Sequence, residues 1–388
     1  MSRSSIVAQP WKHVYEIANR LRVRGHETEI LTASNQESGK ETIGSVGLIK
    51  LKKDRFVFNS KKLANALNDS DADIINWHGS DFWSAIDFWR MRKELDKKIV
   101  WTLHSGPITW ADFVNLNCSE LFQLYKFWNN FLNSICPAVA IKRWGTIPQV
   151  RYIIAMSMRL KEKLQEMDFD GNMIEVIRSG VDTGKFSPLP IADTDAYRAE
   201  LGFTNQDKII TYFGPASSFR GIDTAIQAIR ILSGNVPSIK LLLLARTPST
   251  NDRTNQLNVK GQANLVWMHG ILPEETLIRY LSISDVVVLP FKFWPQVECP
   301  LTLLEAMAME KPIITTNVGA IPELVSNERN GLIIPSNAPK ALASSIQRLL
   351  VDRDFAAEIG RNALECASLY DWDCIVQDTL MAFNKVLN

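Results

Sequence analysis

Cysteine, long apolar runs and an excess charge of either sign are scarce in this sequence. Its 388 residues include 5 cysteines, with no CxxC pair, and 43 basic against 42 acidic residues, which gives a formal net charge of +1. A disulfide framework is therefore not expected, and the charge balance argues against a dedicated nucleic-acid-binding protein. No apolar run reaches the roughly 18 residues that a membrane span needs. We expect a cytoplasmic protein, compatible with peripheral contact at a membrane surface.

Sequence patterns typical of metal sites are missing as well. The 5 histidines are scattered along the chain, and neither HExxH nor a cluster of histidine and cysteine occurs. Zinc ligands in most known motifs stand at short, fixed spacings. The spacing therefore predicts that the chain has no dedicated transition-metal site.

Short β-branched strands alternate with helical stretches through most of the chain. Examples are the strands ADIINWH at 72–78 and KIVWTLHS at 98–105, and a helix at 11–24 with apolar residues at positions i, i+3, i+4 and i+7. A proline-rich, turn-forming stretch at 186–195 interrupts the alternation, which restarts at 208–214. This order predicts an α/β protein of two doubly wound, Rossmann-like domains facing across a cleft.

An aromatic segment at 107–145 departs from this alternation. One interpretation is an irregular helical insertion that packs on the first domain. The other is a flap that binds an acceptor substrate or faces a membrane. Aromatic residues at helical spacing are usually part of a core, which favours the first interpretation.

Two histidines follow neighbouring predicted strands. His78 ends the strand in NWHG, and His104 ends the next strand in WTLHSG. Ligands of doubly wound folds bind at the carboxyl ends of strands, so the pair indicates a functional site. A structural role for either histidine remains the alternative.

The segment YFGPASSFRGIDTAIQAI has the form of an anion-binding turn. A strand ends at Gly214, small residues follow, and a helix begins after Gly221. Backbone N–H groups at a helix start favour anions, and Arg220 adds a positive charge there. The alternative is an ordinary strand-to-helix turn with a solvated arginine.

Two carboxylates lie in the segment PQVECPLTLLEAMAMEKP. Glu298 precedes a predicted helix, and Glu305 lies inside that helix among apolar residues. A buried carboxylate needs a partner, and the vicinal hydroxyls of a ribose would provide one. An internal cap or salt bridge is the alternative.

In order along the chain, several pieces resemble the retaining glycosyltransferases of family 4, which have the GT-B fold. The second half matches in VWMHG at 266–270, VVVLPF at 286–291, LLEAMAMEKPIITTNVGAIPELV at 303–325 and NGLIIP at 330–335. The first half matches in VYEIANRLRVRGHETEILT and VIRSGVDTGKFSP, and YDWDCIVQDTLMAFNKVL resembles the closing helix of the family. The resemblance covers nearly the whole chain.

The resemblance implies a domain plan and an activity. It implies an acceptor-side domain at 1–188, a nucleotide-sugar domain at 189–365 and a helix at 366–388 that returns to the first domain. The implied reaction transfers a hexosyl group from a nucleoside diphosphate sugar, with retention of configuration and without a metal or other cofactor. A glycan, lipid or small molecule would be the acceptor, as in polysaccharide or glycolipid biosynthesis.

The resemblance also implies roles for particular residues. Arg220 takes the place of the family lysine, Glu305 that of the ribose-binding glutamate, and His104 that of the histidine beside the donor sugar. The candidate catalytic residues are His104, Arg220 and Glu298. The candidate donor-binding residues are Gly214, Arg220, Leu301, Thr302 and Glu305, with His78 on the acceptor side and no metal ligand.

Three positions depart from the family pattern. Pro215 stands where the family has an arginine, and Val297 stands where it has the first glutamate, one place before Glu298. The start, SSIVAQP, lacks the expected strand and glycine-rich loop. These departures leave open the alternative that the protein is a non-catalytic binding or partner protein. An epimerase with the GT-B fold fits less well, because the EAMA region resembles the transferases.

Overall fold

The computed structural model divides the chain into two compact units. The first unit comprises Met1–Ser179, Pro295–Cys299 and Trp372–Asn388, and the second comprises Gly180–Trp294 and Pro300–Asp371. The sequence prediction placed these divisions after residues 188 and 365. The structure describes residues 10–34, 37–52, 60–79, 82–107, 141–142, 147–215, 220–245, 264–269, 272–292 and 298–388.

Helices and strands alternate along both units. The helices are α1 (Trp11–Val23), α2 (Ser60–Asn68), α3 (Phe82–Met91), α4 (Met158–Glu166), α5 (Ile191–Glu200), α6 (Ile222–Leu232), α7 (Glu274–Ser282), α8 (Leu301–Ala308), α9 (Pro339–Val351), α10 (Arg353–Ser368) and α11 (Trp372–Leu387). The strands are β1 (Glu29–Ser34), β2 (Gly39–Ile43), β3 (Val46–Lys52), β4 (Ile74–His78), β5 (Lys98–Leu103), β6 (Val150–Ala155), β7 (Ile174–Val176), β8 (Lys208–Gly214), β9 (Ile239–Ala245), β10 (Leu265–His269), β11 (Val286–Leu289), β12 (Ile313–Thr316) and β13 (Leu332–Ile334).

Two sheets form the described part of the first unit. One has the order β1-β3-β2, with β1 parallel and β2 antiparallel to β3, and the other is the parallel sheet β4-β5-β6-β7. Strand β5 is buried from Ile99 to Leu103. A strand of a parallel sheet is covered on both faces, which explains why its sequence is a continuous run without polar alternation.

The last helix, α11, lies in the first unit and packs against α1. Trp372 at its start is fully buried. Arg24, at the end of α1, donates to the backbone oxygen and the carboxylate of Asp373. At the other end of α11, the ammonium group of Lys98 donates to the carbonyl oxygen of Val386. These contacts fix both ends of the helix on the first unit.

A single parallel sheet of order β10-β9-β8-β11-β12-β13 forms the centre of the second unit. Helix α6 buries Ile222, Ala225, Ile226 and Ile229, which follow the i, i+3, i+4, i+7 spacing of one helix face. All residues of α8 are buried. A helix that is enclosed on every side needs no polar face, which explains the sequence LTLLEAMA.

The stretch at 186–195 differs from its prediction as a turn-rich connection. Helix α5 begins at Ile191, directly after Pro190, so the second half of the stretch is helical. Proline is tolerated at a helix start because the first N–H groups have no partner within the helix. The alanine, arginine and glutamate that follow favour a helix, which explains the difference.

Two features of the sequence lie mostly outside the described residues. They are the start of the chain before Pro10 and the aromatic segment at 107–145, of which the structure describes Pro107, Ile141 and Lys142. Within the described ranges, every helix is too short or too polar to span a bilayer.

Candidate functional site

His78 and His104 lie side by side in the first unit. His78 is the last residue of β4 and pairs in register with Thr102 of β5, and His104 follows the end of β5. The Nδ1 atom of His78 is 2.9 Å from Nε2 of His104, and the two rings stack with centroids 5.2 Å apart. The parallel pairing of β4 and β5 thus brings the two predicted histidines together at the carboxyl ends of these strands.

A third histidine, His13 on α1, joins this pair. Its ring centroid is 5.0 Å from that of His104 and 5.7 Å from that of His78. Its Nδ1 atom is 3.3 Å from the hydroxyl oxygen of Ser179, and the Trp372 ring lies against it. His13 could not be singled out from the sequence, because its only local signal is a polar residue beside the apolar face of a helix. We call these three residues the histidine cluster.

The imidazoles of the histidine cluster are uncharged at neutral pH. Burial lowers the pKa of His104 to about 4. Burial, and then repulsion by the other histidines, lowers the pKa values of His13 and His78 well below the ordinary value. The Nδ1 atom of His104 is buried and has no hydrogen-bond partner among the described residues. A ligand atom, either a polar group or a metal ion, would therefore find lone pairs and N–H groups here rather than positive charge.

In the second unit, the start of α8 lies against the end of β8. A Cβ atom at Gly214, which has a φ of +128°, would lie 3.5 Å from Cγ2 of Thr302. Pro300 is the N-cap residue of the helix, and its side chain makes no capping hydrogen bond. The hydroxyl of Thr302 is buried without a hydrogen-bond partner among the described residues. The first turn of α8, from Leu301, therefore offers N–H groups and an unused hydroxyl.

The turn from β8 into α6 is held by close packing. Gly221 has a φ of +74°, and a Cβ atom there would lie 1.8 Å from the carbonyl oxygen of Pro290, so only glycine fits. Arg220 lies just before it, with its guanidinium 5.1 Å from the centre of the Phe291 ring. Tyr212 donates a hydrogen bond to the carbonyl oxygen of Pro215 at 2.8 Å. The positive charge of Arg220 thus lies over the Phe291 ring, just after the end of β11, the strand that pairs with β8.

Lys292 and Asp223 form an ion pair near this turn. The side chain of Lys292 is largely buried. The backbone oxygen of Lys292 accepts a hydrogen bond from the Ser336 hydroxyl. The sequence analysis did not single out either residue. A lysine after a buried strand and an aspartate in the first turn of a helix give no local sign that they meet.

Glu305 is buried in α8, one helical turn after Thr302, with 1% of its surface exposed. Residues three apart lie on the same side of a helix. The structure therefore places Thr302 and Glu305 on one side of α8. The candidates Gly214, Arg220, Leu301, Thr302 and Glu305 all belong to the second unit.

Glu298 belongs instead to the first unit. It is buried, its carboxylate accepts a short hydrogen bond from the Ser157 hydroxyl, and Arg159 lies 3.6 Å away. Ser157 also caps α4, because its side chain accepts a hydrogen bond from the N–H of Leu160. The carboxylate is thus fixed on the start of α4. Val297 lies outside the described residues.

The fold and the sequence comparisons define the class of the protein. A family model described as Glycosyltransferase Family 4 matches residues 11–185, and one described as Glycosyl transferases group 1 matches residues 193–365. Together they cover nearly all of the chain. The protein has the α/β GT-B fold, as predicted. It belongs to the family 4 glycosyltransferases, which confirms the family predicted from the sequence, while retention of configuration stays a prediction.

Curated relatives are about a quarter identical to the chain over the residues that align. Alpha-maltose-1-phosphate synthase of Mycolicibacterium smegmatis is 26% identical over 249 residues, which are 60% of this chain and 63% of that protein. D-inositol 3-phosphate glycosyltransferase of Corynebacterium glutamicum is 24% identical over 245 residues, which are 60% of this chain and 57% of that protein. The chain thus spans about three-fifths of the length of these relatives.

Solved structures support the fold over nearly the whole chain. Sucrose-phosphate synthase from Thermosynechococcus elongatus superposes with a TM-score of 0.76 at 20% identity, over 97% of this chain and 93% of that chain. The HepE protein of Anabaena in complex with UDP-glucose gives a TM-score of 0.72 at 16% identity, over 96% and 95%. At these identities the likeness shows the fold alone.

Proposed function

We propose that the protein transfers a hexosyl group from a nucleoside diphosphate sugar to a hydroxyl acceptor, with retention of configuration. The observation that carries this proposal is the start of α8 beside Gly214, where Pro300 provides no side-chain cap and the hydroxyl of Thr302 is buried in the first turn. Membership of the family and the UDP-glucose in the HepE structure support this donor class.

The start of α8 suits the diphosphate of such a donor. Its first N–H groups carry the positive end of the helix dipole, which favours an anion. The hydroxyl of Thr302 is available to donate a hydrogen bond to a phosphate oxygen. Gly214 has no side chain to fill the space in front of Thr302, so a phosphate could approach the backbone closely.

Glu305 is the proposed ribose ligand. A carboxylate can accept a hydrogen bond from each of two vicinal hydroxyls, and hydrogen bonds to a charged group are the stronger kind. Its place one turn after Thr302, on the same side of α8, would let a single nucleotide span both residues.

Arg220 is the proposed stabiliser of the leaving group. Negative charge develops on the diphosphate as its bond to the sugar breaks, and a fixed cation lowers the free energy of that transition state. Fixed cations and helix N–H groups do what a metal ion does in other transferases, so we propose transfer without an obligatory metal. His104, uncharged at neutral pH, would then hydrogen-bond a hydroxyl of the donor sugar.

The acceptor could be a glycan, a lipid or a small molecule. The names of the relatives contain sugar phosphates and inositol phosphate, so phosphorylated sugars and polyols are the acceptors to test first.

The experiment that tests this function is a transfer assay with a panel of nucleotide sugars, beginning with UDP-glucose. The expected result is release of the nucleoside diphosphate with at least one donor, increased by a suitable acceptor. Product analysis by NMR would then report the anomeric configuration. Tight binding of UDP without any release from any donor would instead support the non-catalytic binding protein.

A further inference from the structure

The ion pair of Lys292 and Asp223 leaves hydrogen-bonding groups unused. An ammonium group has three N–H donors, and among the described residues that of Lys292 bonds only to Oδ2 of Asp223. The other carboxylate oxygen of Asp223, Oδ1, is buried and has no hydrogen-bond partner among those residues. The pair therefore has two unused N–H donors and one unused acceptor.

A role in the fold alone does not account for these unused groups. The side chain of Lys292 is 11% exposed and that of Asp223 is 29% exposed. Taking two charges out of water is costly, and a buried ion pair offsets that cost only when its remaining donors and acceptors also form hydrogen bonds. Buried polar atoms nearly always have a partner, so the unused atoms point to a ligand.

The ion pair lies beside the turn from β8 into α6. Asp223 is in the first turn of α6, three residues after Arg220. Lys292 directly follows Phe291, whose ring centre is 5.1 Å from the guanidinium of Arg220. Burial raises the pKa of the Tyr212 hydroxyl, while Arg220 lowers it and Asp223 raises it further. The ion pair and Arg220 thus border the same small region of the second unit.

The unused groups indicate the chemistry of the ligand. An ionised phosphate offers acceptors alone, so it could use the N–H groups of Lys292 but would be repelled by Asp223. A hydroxyl group accepts one hydrogen bond and donates another, so it can use both members of the pair. We propose that Lys292 and Asp223 together bind one hydroxyl group of the transferred sugar and thereby help to select the donor.

This inference rests on the proposed function, in which Arg220 stabilises the leaving diphosphate. The transferred sugar is bonded to that diphosphate, and the ribose at its other end is assigned to Glu305. A hydroxyl group that reaches the ion pair beside Arg220 therefore belongs to the transferred sugar. A site built to bind a hydroxyl discriminates against an analogue that lacks it, because the buried polar groups are then left without a partner. Lys292 and Asp223 are thus specificity-determining residues.

Calorimetric titration of the full chain with UDP-glucose, UDP-galactose and GDP-mannose tests this inference. The nucleotide sugar that binds most tightly is compared with analogues that each lack one hydroxyl of the sugar. In the wild type, removal of the contacted hydroxyl should weaken binding by about tenfold or more. In Lys292→Met and in Asp223→Asn the same analogue should lose about twofold or less, because the pair no longer provides the contact.

Two controls separate this contact from a role in the fold or in binding of the diphosphate. The matching nucleoside diphosphate, which has no sugar, should bind Lys292→Met within about threefold of its affinity for the wild type. Lys340→Met, at an exposed position in α9, should keep the full wild-type loss with the deoxy analogue. Circular dichroism reports whether each variant is folded.

Several results would overturn the inference. One is a wild type that loses less than about threefold with every deoxy analogue, which needs no substitution to observe. Another is an equal loss in the wild type and in Lys292→Met, or an equal fall in the affinity of Lys292→Met for the nucleotide sugar and for the nucleoside diphosphate. Failure of all three nucleotide sugars to bind would overturn the proposed function as well, whereas transfer without this selectivity would overturn the present inference alone.

Discussion

The two candidate sites differ in their charge. In the first unit, burial removes the charge of three histidines, so the histidine cluster offers lone pairs and N–H groups. In the second unit, the guanidinium of Arg220 over the Phe291 ring carries a full positive charge, and the start of α8 adds a partial one. The carboxyl ends of parallel strands can therefore suit either uncharged or anionic ligand groups, and the surrounding residues decide which.

Replacement of Arg220 should have the largest effect. Arg220→Ala removes the charge that we propose stabilises the leaving diphosphate, and turnover at saturating donor should fall by on the order of a hundredfold or more. Arg220→Lys should recover part of the loss, because a point charge restores attraction without the planar guanidinium. Arg230→Ala, at the other end of α6, is the control. Wild-type turnover in Arg220→Ala would remove the anionic site from the mechanism.

Glu305→Gln tests the ribose contact. Loss of hydrogen bonds to a charged group should cost about 1.5–3 kcal/mol of binding, which is roughly tenfold or more in UDP affinity. Calorimetric titration of both proteins with UDP measures the difference. Thymidine diphosphate lacks the ribose 2′-hydroxyl and keeps the 3′-hydroxyl, so the affinity difference between the two forms should be smaller with it than with UDP. Equal UDP affinity in the two forms would show that Glu305 has only a structural role.

Acid should weaken the first unit through the histidine cluster. The pKa of His104 is about 4 when folded and 6.5 when unfolded, so the unfolded chain binds more protons between these values. The contribution of His104 to the free energy of unfolding should therefore be fully present above about pH 6.5 and be lost as the pH drops toward 4. At pH 5 the loss from His104 should be on the order of 1–2 kcal/mol.

Denaturant unfolding of the protein at pH 7.5 and pH 5 checks this dependence. His104→Gln should reduce the difference between the two pH values, whereas the exposed His26→Gln should leave it unchanged. A pH dependence that is identical in wild type and His104→Gln would show that the cluster is not the titrating group.

Ser157→Ala tests whether Glu298 serves to anchor the chain. The serine caps α4 and hydrogen-bonds the buried carboxylate, so its loss should lower the free energy of unfolding by about 1–3 kcal/mol. Ser233→Ala, at an exposed helix end in the second unit, is a matched control with an expected effect below about 0.5 kcal/mol. Unchanged stability in Ser157→Ala would argue against anchoring.

Thr302→Val should have the smallest effect and separates binding from stability. The valine keeps the shape and removes a hydroxyl that has no hydrogen-bond partner among the described residues. UDP affinity should fall about fivefold, equivalent to roughly 1 kcal/mol, while the melting temperature should stay the same or rise. A drop in melting temperature with unchanged UDP affinity would assign the hydroxyl to the structure of the protein instead.

Much of the fold was predictable because its signals are local. Strands β5 and β8 were predicted from their continuous apolar runs. Helix α6 was predicted from the spacing of its apolar residues. The positions of Gly214 and Arg220 at a strand-to-helix turn follow from the same signals. The family resemblance, and the GT-B fold that it implies, were therefore accessible from the sequence.

The parts that the sequence did not predict depend on contacts between distant residues. His13 joins His78 and His104 only because α1 lies beside the ends of β4 and β5 in the folded unit. Glu298 appears in the sequence to precede the helix of Glu305, yet it bonds to Ser157, which is far away in the chain. Such pairings have no fixed spacing from which they could be inferred.

A crystal structure of the protein with UDP would test the central claim most directly. The account predicts the diphosphate at hydrogen-bond distance from the N–H groups of Leu301 and Thr302 and from the Thr302 hydroxyl, with the ribose hydroxyls on Glu305. UDP bound with its diphosphate away from the start of α8, or with its ribose away from Glu305, would contradict the account.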